Sequence, residues 1–222
     1  MPPRQTRLCP PRAAGPGFVI APPGVILAGG LSRRMERGEK SLALLGGRPL
    51  VAHVIHRLAP QCEDLAINAN GPPARFARFG LPVLPDPVPD RPGPLAGILA
   101  AMHWAAERGD DRVLTVSADA PFLPGDLVPK LLLALEETGP RPALAQSGGR
   151  VHPVCALWPV ALRDRLADTL AAGTRKVRDW TDTVAATAAD FPATDPDPFF
   201  NVNTPDDLAR AERYLTAGQP PV

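Results

Sequence analysis

The chain has 222 residues, 45% of them apolar and 21% charged, and 24 basic against 23 acidic residues leave a net charge of +1. That length gives one domain whose core needs neither disulfide staples nor a structural metal. The even charge excludes a basic nucleic-acid footprint, and no apolar run reaches the roughly 18 residues of a membrane helix. Three cysteines without CxxC spacing (Cys9, Cys62 and Cys155) argue against a disulfide framework and a zinc site and fit a reducing cytoplasm.

Residues Met1 to Pro23 hold seven prolines, three arginines and no acid, with no continuous apolar stretch of the kind a secretory signal needs. They read as a disordered tail, with a short second tail over 218–222 and one folded domain over 24–217. Gly24-Val25-Ile26-Leu27-Ala28 is a short apolar run stopped by Gly29-Gly30, the pattern of a buried strand entering a loop. Pro49 opens a helix with Leu50, Val51, Val54, Ile55 and Leu58 on one face. His53 and His56, at i and i+3, belong to this helix and read as a helix face, not a metal pair. Strands follow at Leu65–Asn68 and Leu81–Leu84, then a helix from Pro94 to Glu107 closed by Gly109. The next strand, Val113–Val116, ends at Ser117-Ala118-Asp119, and Asp126 caps a helix through Glu137. Later strands are expected at Pro142–Gln146, Val151–Trp158 and Val184–Phe191. Two more helices are expected at Val160–Ala172 and Pro205–Thr216. Strand alternates with helix through short connections, which predicts an α/β domain with a mostly parallel sheet covered on both faces.

Ligands of such sheets bind at the carboxyl ends of the strands. The residues placed there are Gly29-Gly30, Asn68, Asp86 and Asp119. The first loop, Leu27 to Lys40, combines glycines that let backbone N–H groups approach a ligand with cations that can face phosphates. It is not a Walker loop, because Glu39 separates Gly38 from Lys40, nor a G-x-G-x-x-G fingerprint, because Gly29 and Gly30 are adjacent. Asp119, directly after a buried strand, is well placed to hold a divalent ion, since Mg²⁺ commonly takes one or two protein carboxylates plus substrate phosphates.

Together these motifs form a resemblance. Leu27-Ala28-Gly29-Gly30, followed by Ser32, Arg34-Met35 and Lys40, looks like the signature loop of nucleotidyltransferases with a Rossmann-like sheet. Asn68-Ala69-Asn70, Gly93-Pro94-Leu95-Ala96-Gly97, Asp119-Ala120-Pro121-Phe122 and His152-Pro153 narrow it to one family. So do Gly173-Thr174-Arg175-Lys176-Val177 and Phe200-Asn201-Val202-Asn203-Thr204-Pro205. In this order they resemble the molybdenum cofactor guanylyltransferases, from about Gly24 to Ala211. The chain departs from that pattern with Glu36 after Arg-Met, Glu39 before the lysine and Ala120 where the family commonly has Thr.

The resemblance implies a single-domain, Rossmann-like three-layer α/β/α fold. It also implies Mg²⁺-dependent transfer of GMP from GTP to molybdenum-loaded molybdopterin. Leu27, Ala28 and Gly29 would present backbone groups to guanine, with Asn68 and Asp86 holding the nucleoside. Lys40 and Arg34 would face phosphates, Asp119 would bind Mg²⁺, and Asn201 and Asn203 would orient metal or acceptor. Arg175, Lys176 and His152 would meet molybdopterin. A cytoplasmic monomer is expected, without nucleic-acid or membrane partners, in transient contact with cofactor-inserting chaperones or molybdoenzymes. The base is weakly specified by such residues, so a CTP-dependent or sugar-nucleotide relative stays open, as does a silent nucleotide-binding protein.

Overall fold

A computed structural model describes residues 21–29, 40–88, 93–136 and 141–217. The expected tails and the loop carrying Ser32, Arg34 and Met35 lie outside these, except at one boundary. Pro22 and Pro23 are buried, and their carbonyls accept the N–H groups of Glu63 at 3.3 Å and Leu114 at 2.9 Å. The folded part therefore begins before Gly24.

In chain order the elements are β1 (Gly24–Leu27), β2 (Leu44–Leu45), β3 (Arg48–Pro49), α1 (Leu50–Leu58), β4 (Leu65–Asn68), β5 (Val83–Leu84) and α2 (Pro94–Arg108). Then come β6 (Arg112–Ser117), α3 (Leu127–Glu136), β7 (Ala143–Ser147), β8 (Arg150–Pro159), α4 (Arg163–Ala171), α5 (Val177–Thr183), β9 (Thr187–Phe191) and α6 (Pro205–Thr216). Short 3-10 turns cover Lys40–Leu42, Pro73–Phe79 and Val160–Leu162. The sheet order is β5-β4-β1-β6-β8-β7-β9, while β2 and β3 form a separate small hairpin.

Parallel pairing joins β5, β4, β1 and β6, and also β7 with β9. Strand β8 alone runs against its neighbours. Its direction is forced locally. Gly148 and Gly149, at φ +54° and +75°, make the two-residue turn that joins antiparallel strands. Strand β5 is only two residues long, because Pro82 and Pro85 cannot donate to a ladder; it occupies the sheet edge, where prolines are tolerated.

One face of the sheet buries Ile26, Ile67, Val116 and Leu157 beneath α1 and α3. The other buries Val25, Leu27, Ala66 and Trp158 beneath α2, α4 and α5. Successive strand residues thus go to opposite layers, giving the expected α/β/α sandwich. A third cluster, Leu45, Leu50, Phe122, Val202 and Ala211, fastens α6 and the small hairpin beside the sheet. Buried Thr115 is satisfied in this frame: it accepts from Trp158 Nε1 at 2.7 Å and donates to the Val154 carbonyl at 2.7 Å.

Cys62 and Cys155 are free and buried, and burial pushes both thiols up to about 12. The thiolate is the reactive form, so native protein at pH 8 should leave both cysteines unalkylated by iodoacetamide while denatured protein labels them. Mass mapping of the two peptides checks this, and rapid native labelling of either would contradict its burial.

Candidate functional site at the carboxyl edge of the sheet

The register places Leu27 of β1 beside Asn68 of β4 on one side and Ser117 of β6 on the other. Three strand ends therefore stop at one level, and the residues after them share one edge.

The first half of the edge is built around an amide. Asn68, 2% exposed, donates through Nδ2 to the Leu84 carbonyl at 3.0 Å and to Asp86 Oδ1 at 2.9 Å. Asn70 donates to the other Asp86 oxygen at 2.7 Å, and its own amide oxygen accepts the Asp86 N–H at 2.9 Å. Asp86 is thereby clamped by Asn68 and Asn70, a role for Asn70 that only the second Asn of the Asn-x-Asn spacing could have suggested. Helix α2 packs directly on this corner: a Cβ at Gly97 would lie 2.4 Å from Asn68 Oδ1. Pro94 sits in the first turn of α2, where its missing N–H costs nothing.

Between the corners lies the end of β1. The Leu27 carbonyl accepts the Ala118 N–H at 3.0 Å, and the Ala28 N–H donates to the Asn68 carbonyl at 2.9 Å. These two bonds lace the strand ends together and commit the Ala28 N–H, while the Leu27 carbonyl keeps a second lone pair. The Ala28 carbonyl and the Gly29 N–H have no partner among the described residues.

The second half is a charge cluster. The Lys40 ammonium donates to Asp119 Oδ2 and, at 2.5 Å, to Asn203 Oδ1. Ser117 donates to the other Asp119 oxygen at 2.5 Å. The lysine and aspartate side chains are 20% and 15% exposed. Asp119 is held from behind as well, since its carbonyl accepts the Val202 N–H at 2.9 Å. Asn203 precedes α6, whose start is a reciprocal cap: Thr204 Oγ1 accepts the Asp207 N–H, and Asp207 Oδ2 accepts the N–H groups of Asn203 and Thr204. Asn201 lies two residues earlier, and its carbonyl is the acceptor for the Asn203 amide at 3.5 Å.

Other expected residues are nearby but differently employed. His152 is half-buried and stacks on Phe199 with ring centroids 4.6 Å apart; its Nε2 lies 2.8 Å from Ser147 Oγ. Burial pushes its pKa down, the Asp197 charge opposing and Arg150 reinforcing this, so the ring is neutral at pH 7. The Arg175 guanidinium donates to the Thr174 carbonyl at 3.0 Å and the Leu170 carbonyl at 3.4 Å, closing the end of α4. Lys176 is exposed and its ammonium has no partner among the described residues. The loop that bears both abuts the start of α2, where a Cβ on Gly93 would come within 4.0 Å of the Arg175 carbonyl. Arg34 lies outside the described residues.

The sequence profile of the MobA-like NTP transferase domain matches residues 24–188. A molybdenum cofactor guanylyltransferase of Bradyrhizobium sp. (strain ORS 278) is 52% identical over 196 residues, 87% of this chain and 92% of that protein. The chain belongs to the MobA-like NTP transferase family. Another relative, the molybdenum cofactor guanylyltransferase of Cereibacter sphaeroides, is 53% identical over 192 residues, covering 86% of this chain and 96% of its own. Among solved structures, molybdopterin-guanine dinucleotide biosynthesis protein A from Archaeoglobus fulgidus superposes with a TM-score of 0.70 at 23% identity, covering 88% of this chain and 99% of that one. A 4-diphosphocytidyl-2C-methyl-D-erythritol synthase from Anaerococcus prevotii reaches 0.68 at 11% identity, covering 89% and 96%. These last two likenesses establish the shared fold. In this family's chain, the amide corner and the charge cluster occupy opposite ends of one carboxyl edge.

Gly97→Ala tests the amide corner. The added methyl must displace Asn68 from Asp86, an overpacking cost of about 1–3 kcal/mol. Nucleoside triphosphate affinity should fall by about tenfold, since tenfold is ~1.4 kcal/mol, with a much smaller change in kcat. Isothermal titration decides; unchanged affinity would remove Asn68 and Asp86 from the nucleotide site.

Proposed function

We propose that the chain transfers GMP from GTP to molybdenum-loaded molybdopterin, releasing pyrophosphate. The observation that carries this reading is the joining of Lys40, Asp119 and Asn203 at the strand-end edge of a chain about half identical to proteins named for that activity.

In this reaction a phosphate oxygen of the acceptor forms a bond to the α-phosphorus of GTP. The bond from that phosphorus to the bridging oxygen breaks, and pyrophosphate leaves with the electron pair. The acceptor is a phosphate monoester, already anionic at pH 7, so no strong base is needed. Catalysis then rests on holding two anions together and neutralising the charge that shifts to the leaving group. Lys40 is the cation for that task. Leu27, Ala28, Gly29, Asn68 and Asp86 hold the nucleoside at the other end, leaving the triphosphate to run along the edge toward Lys40. Lys176, whose ammonium has no partner among the described residues, meets the acceptor's phosphate. His152 keeps its Nδ1 without a partner among the described residues, as an acceptor toward the pterin.

The donor set fits Mg²⁺. Asp119 and the amide oxygen of Asn203 already surround one cation, the Lys40 ammonium, and both are hard oxygen ligands. No group of three or more His, Cys, Asp or Glu that could hold a metal occurs among the described residues, so phosphate oxygens would have to complete the shell. Asp119, with the Asn201 and Asn203 amides, would hold the ion, which supplies Lewis-acid neutralisation of the phosphates when bound.

No helix among the described residues is long and apolar enough to cross a membrane. A cytoplasmic monomer that passes its product to a chaperone or molybdoenzyme completes the proposal.

Three measurements test it. Of the four nucleoside triphosphates with Mg²⁺, GTP should give the largest rise in melting temperature; CTP selectivity would favour a cytidylyltransferase, and no response a silent binder. Asp119→Asn should nearly abolish pyrophosphate release in a protein that still folds, and near wild-type turnover at saturating Mg²⁺ would sink the metal role. Lys40→Ala should lose about 2–4 kcal/mol in kcat/KM for GTP, the scale for a charge-stabilising donor. Lys40→Arg should recover only part of this, because a guanidinium is wider and forked where the ammonium is compact.

A further inference from the structure

Ser147 ends β7 as Ser117 ends β6, and it is 2% exposed. Its hydroxyl donates to Asp197 Oδ2 at 2.7 Å and lies 2.8 Å from His152 Nε2. Asp197 in turn shapes the chain after it: its Oδ1 accepts the Phe199 N–H at 2.8 Å and its carbonyl accepts the Phe200 N–H at 2.9 Å. Phe199, 2% exposed, is wedged between the His152 ring and Phe191, whose ring centroid is 5.2 Å away. Three residues beyond Phe199, Val202 bonds to the Asp119 carbonyl, and Asn203 then receives the Lys40 ammonium.

The segment from Asp197 to Asn203 is therefore fastened at both ends. The α6 cap secures Asn203, and Asp197 secures the start by linking the turn to the end of β7. We propose that Asp197 is a positioning residue for group transfer: through Ser147 it sets where the 197–203 segment lies on the sheet edge, and so where Asn203 meets Lys40. Neither Ser147 nor Asp197 touches the reacting atoms. The direction of the chain follows from counting protons. A carboxylate only accepts and Ser147 has one proton to give, so the hydrogen between Ser147 and His152 must be carried by Nε2. Asp197 thereby leaves Nδ1 of His152 as a bare acceptor.

This makes a substitution with a spectroscopic signature. In Asp197→Asn the Phe199 N–H still requires an oxygen, so the new NH₂ must face Ser147. Ser147 then accepts from it and gives its own proton to Nε2, which moves the imidazole proton to Nδ1. Two-bond ¹H–¹⁵N spectra of histidine-labelled protein should show His152 as the Nε2–H tautomer in the wild type and as Nδ1–H in Asp197→Asn. The same tautomer in both overturns the chain of bonds.

The activity arm rests on the guanylyl-transfer reading. Asp197→Asn keeps both ties and, with the acceptor saturating, should hold kcat within about threefold; the loss from His152 Nδ1, now a donor, falls on the acceptor's KM. Asp197→Ala and Ser147→Ala cut the tie and should lower kcat by about tenfold or more with the GTP KM within about twofold, the pattern of a misplaced catalytic group. Wild-type kcat in the alanine variants overturns the proposal, as does an Asn variant as impaired as the Ala one. If the melting curve shows Asp197→Ala unfolded, Ser147→Ala decides. A wild-type protein that transfers no GMP fails the guanylyl-transfer reading instead, and the tautomers alone then judge the positioning role.

Discussion

The ammonium of Lys40 is the point on which the site depends. It joins a carboxylate 79 positions away and an amide 163 positions away. A part-buried carboxylate without a cation would pay desolvation, and an isolated ammonium would do the same, so each requires the other in place. Asp119 leaves β6 at a turn anchored by Phe122, whose ring packs edge-on against Tyr214 of α6 at 6.0 Å. Lys40 begins the 3-10 turn that leads into the small hairpin, and this hairpin is tied to α6 through the Gly46 N–H and Glu212 at 2.8 Å. One cation therefore couples the central strand, the hairpin and the last helix.

The two halves of the edge solve different problems. The amide corner carries Asp86, whose two oxygens are both occupied by Asn68 and Asn70, and the Arg75 guanidinium, which donates to the Asn70 carbonyl. It is a rigid surface of amides and backbone groups, suited to recognising a base and sugar by shape and hydrogen bonding. In the proposed transfer the Lys40 ammonium, a compact point charge, would leave an oxygen of Asp119 for one of a phosphate without a change of fold. Recognition at one end and a charge at the other are what the proposed transfer requires, since it must hold a nucleoside while its phosphate chain is cut.

Strand β8 links the edge to the second layer of support. By running antiparallel it brings its beginning, with His152, to the level where β6 and β7 end. A wholly parallel sheet would have placed that histidine at the opposite edge. Here the imidazole stacks on Phe199 and reaches Ser147, so the segment leading to Asn203 lies against the sheet and not in solvent.

The elements that depend on local chemistry were legible in the sequence. The apolar runs of β1, β4 and β6, the Pro94 start and Gly109 stop of α2, and the Thr204-Pro205 opening of α6 follow from burial, fixed proline φ and side-chain capping, all of which act within a few residues. So did the strand-end placement of Asn68, Asp86 and Asp119, because a parallel sheet puts every carboxyl end on one edge. The turns at Pro73–Phe79, the hairpin of β2 and β3 and the helix α5 left no clear periodicity and were not expected; each is short and stabilised by what it packs on. The pairing of Lys40 with Asp119 and Asn203, the clamp of Asn70 on Asp86, the diversion of Arg175 to the end of α4 and the Ser147–Asp197 tie were decided only in three dimensions. These contacts join residues whose partners are chosen by the sheet order and the crossover paths, and a side chain's hydrogen bond is settled by whichever acceptor the packed core brings within about 3 Å.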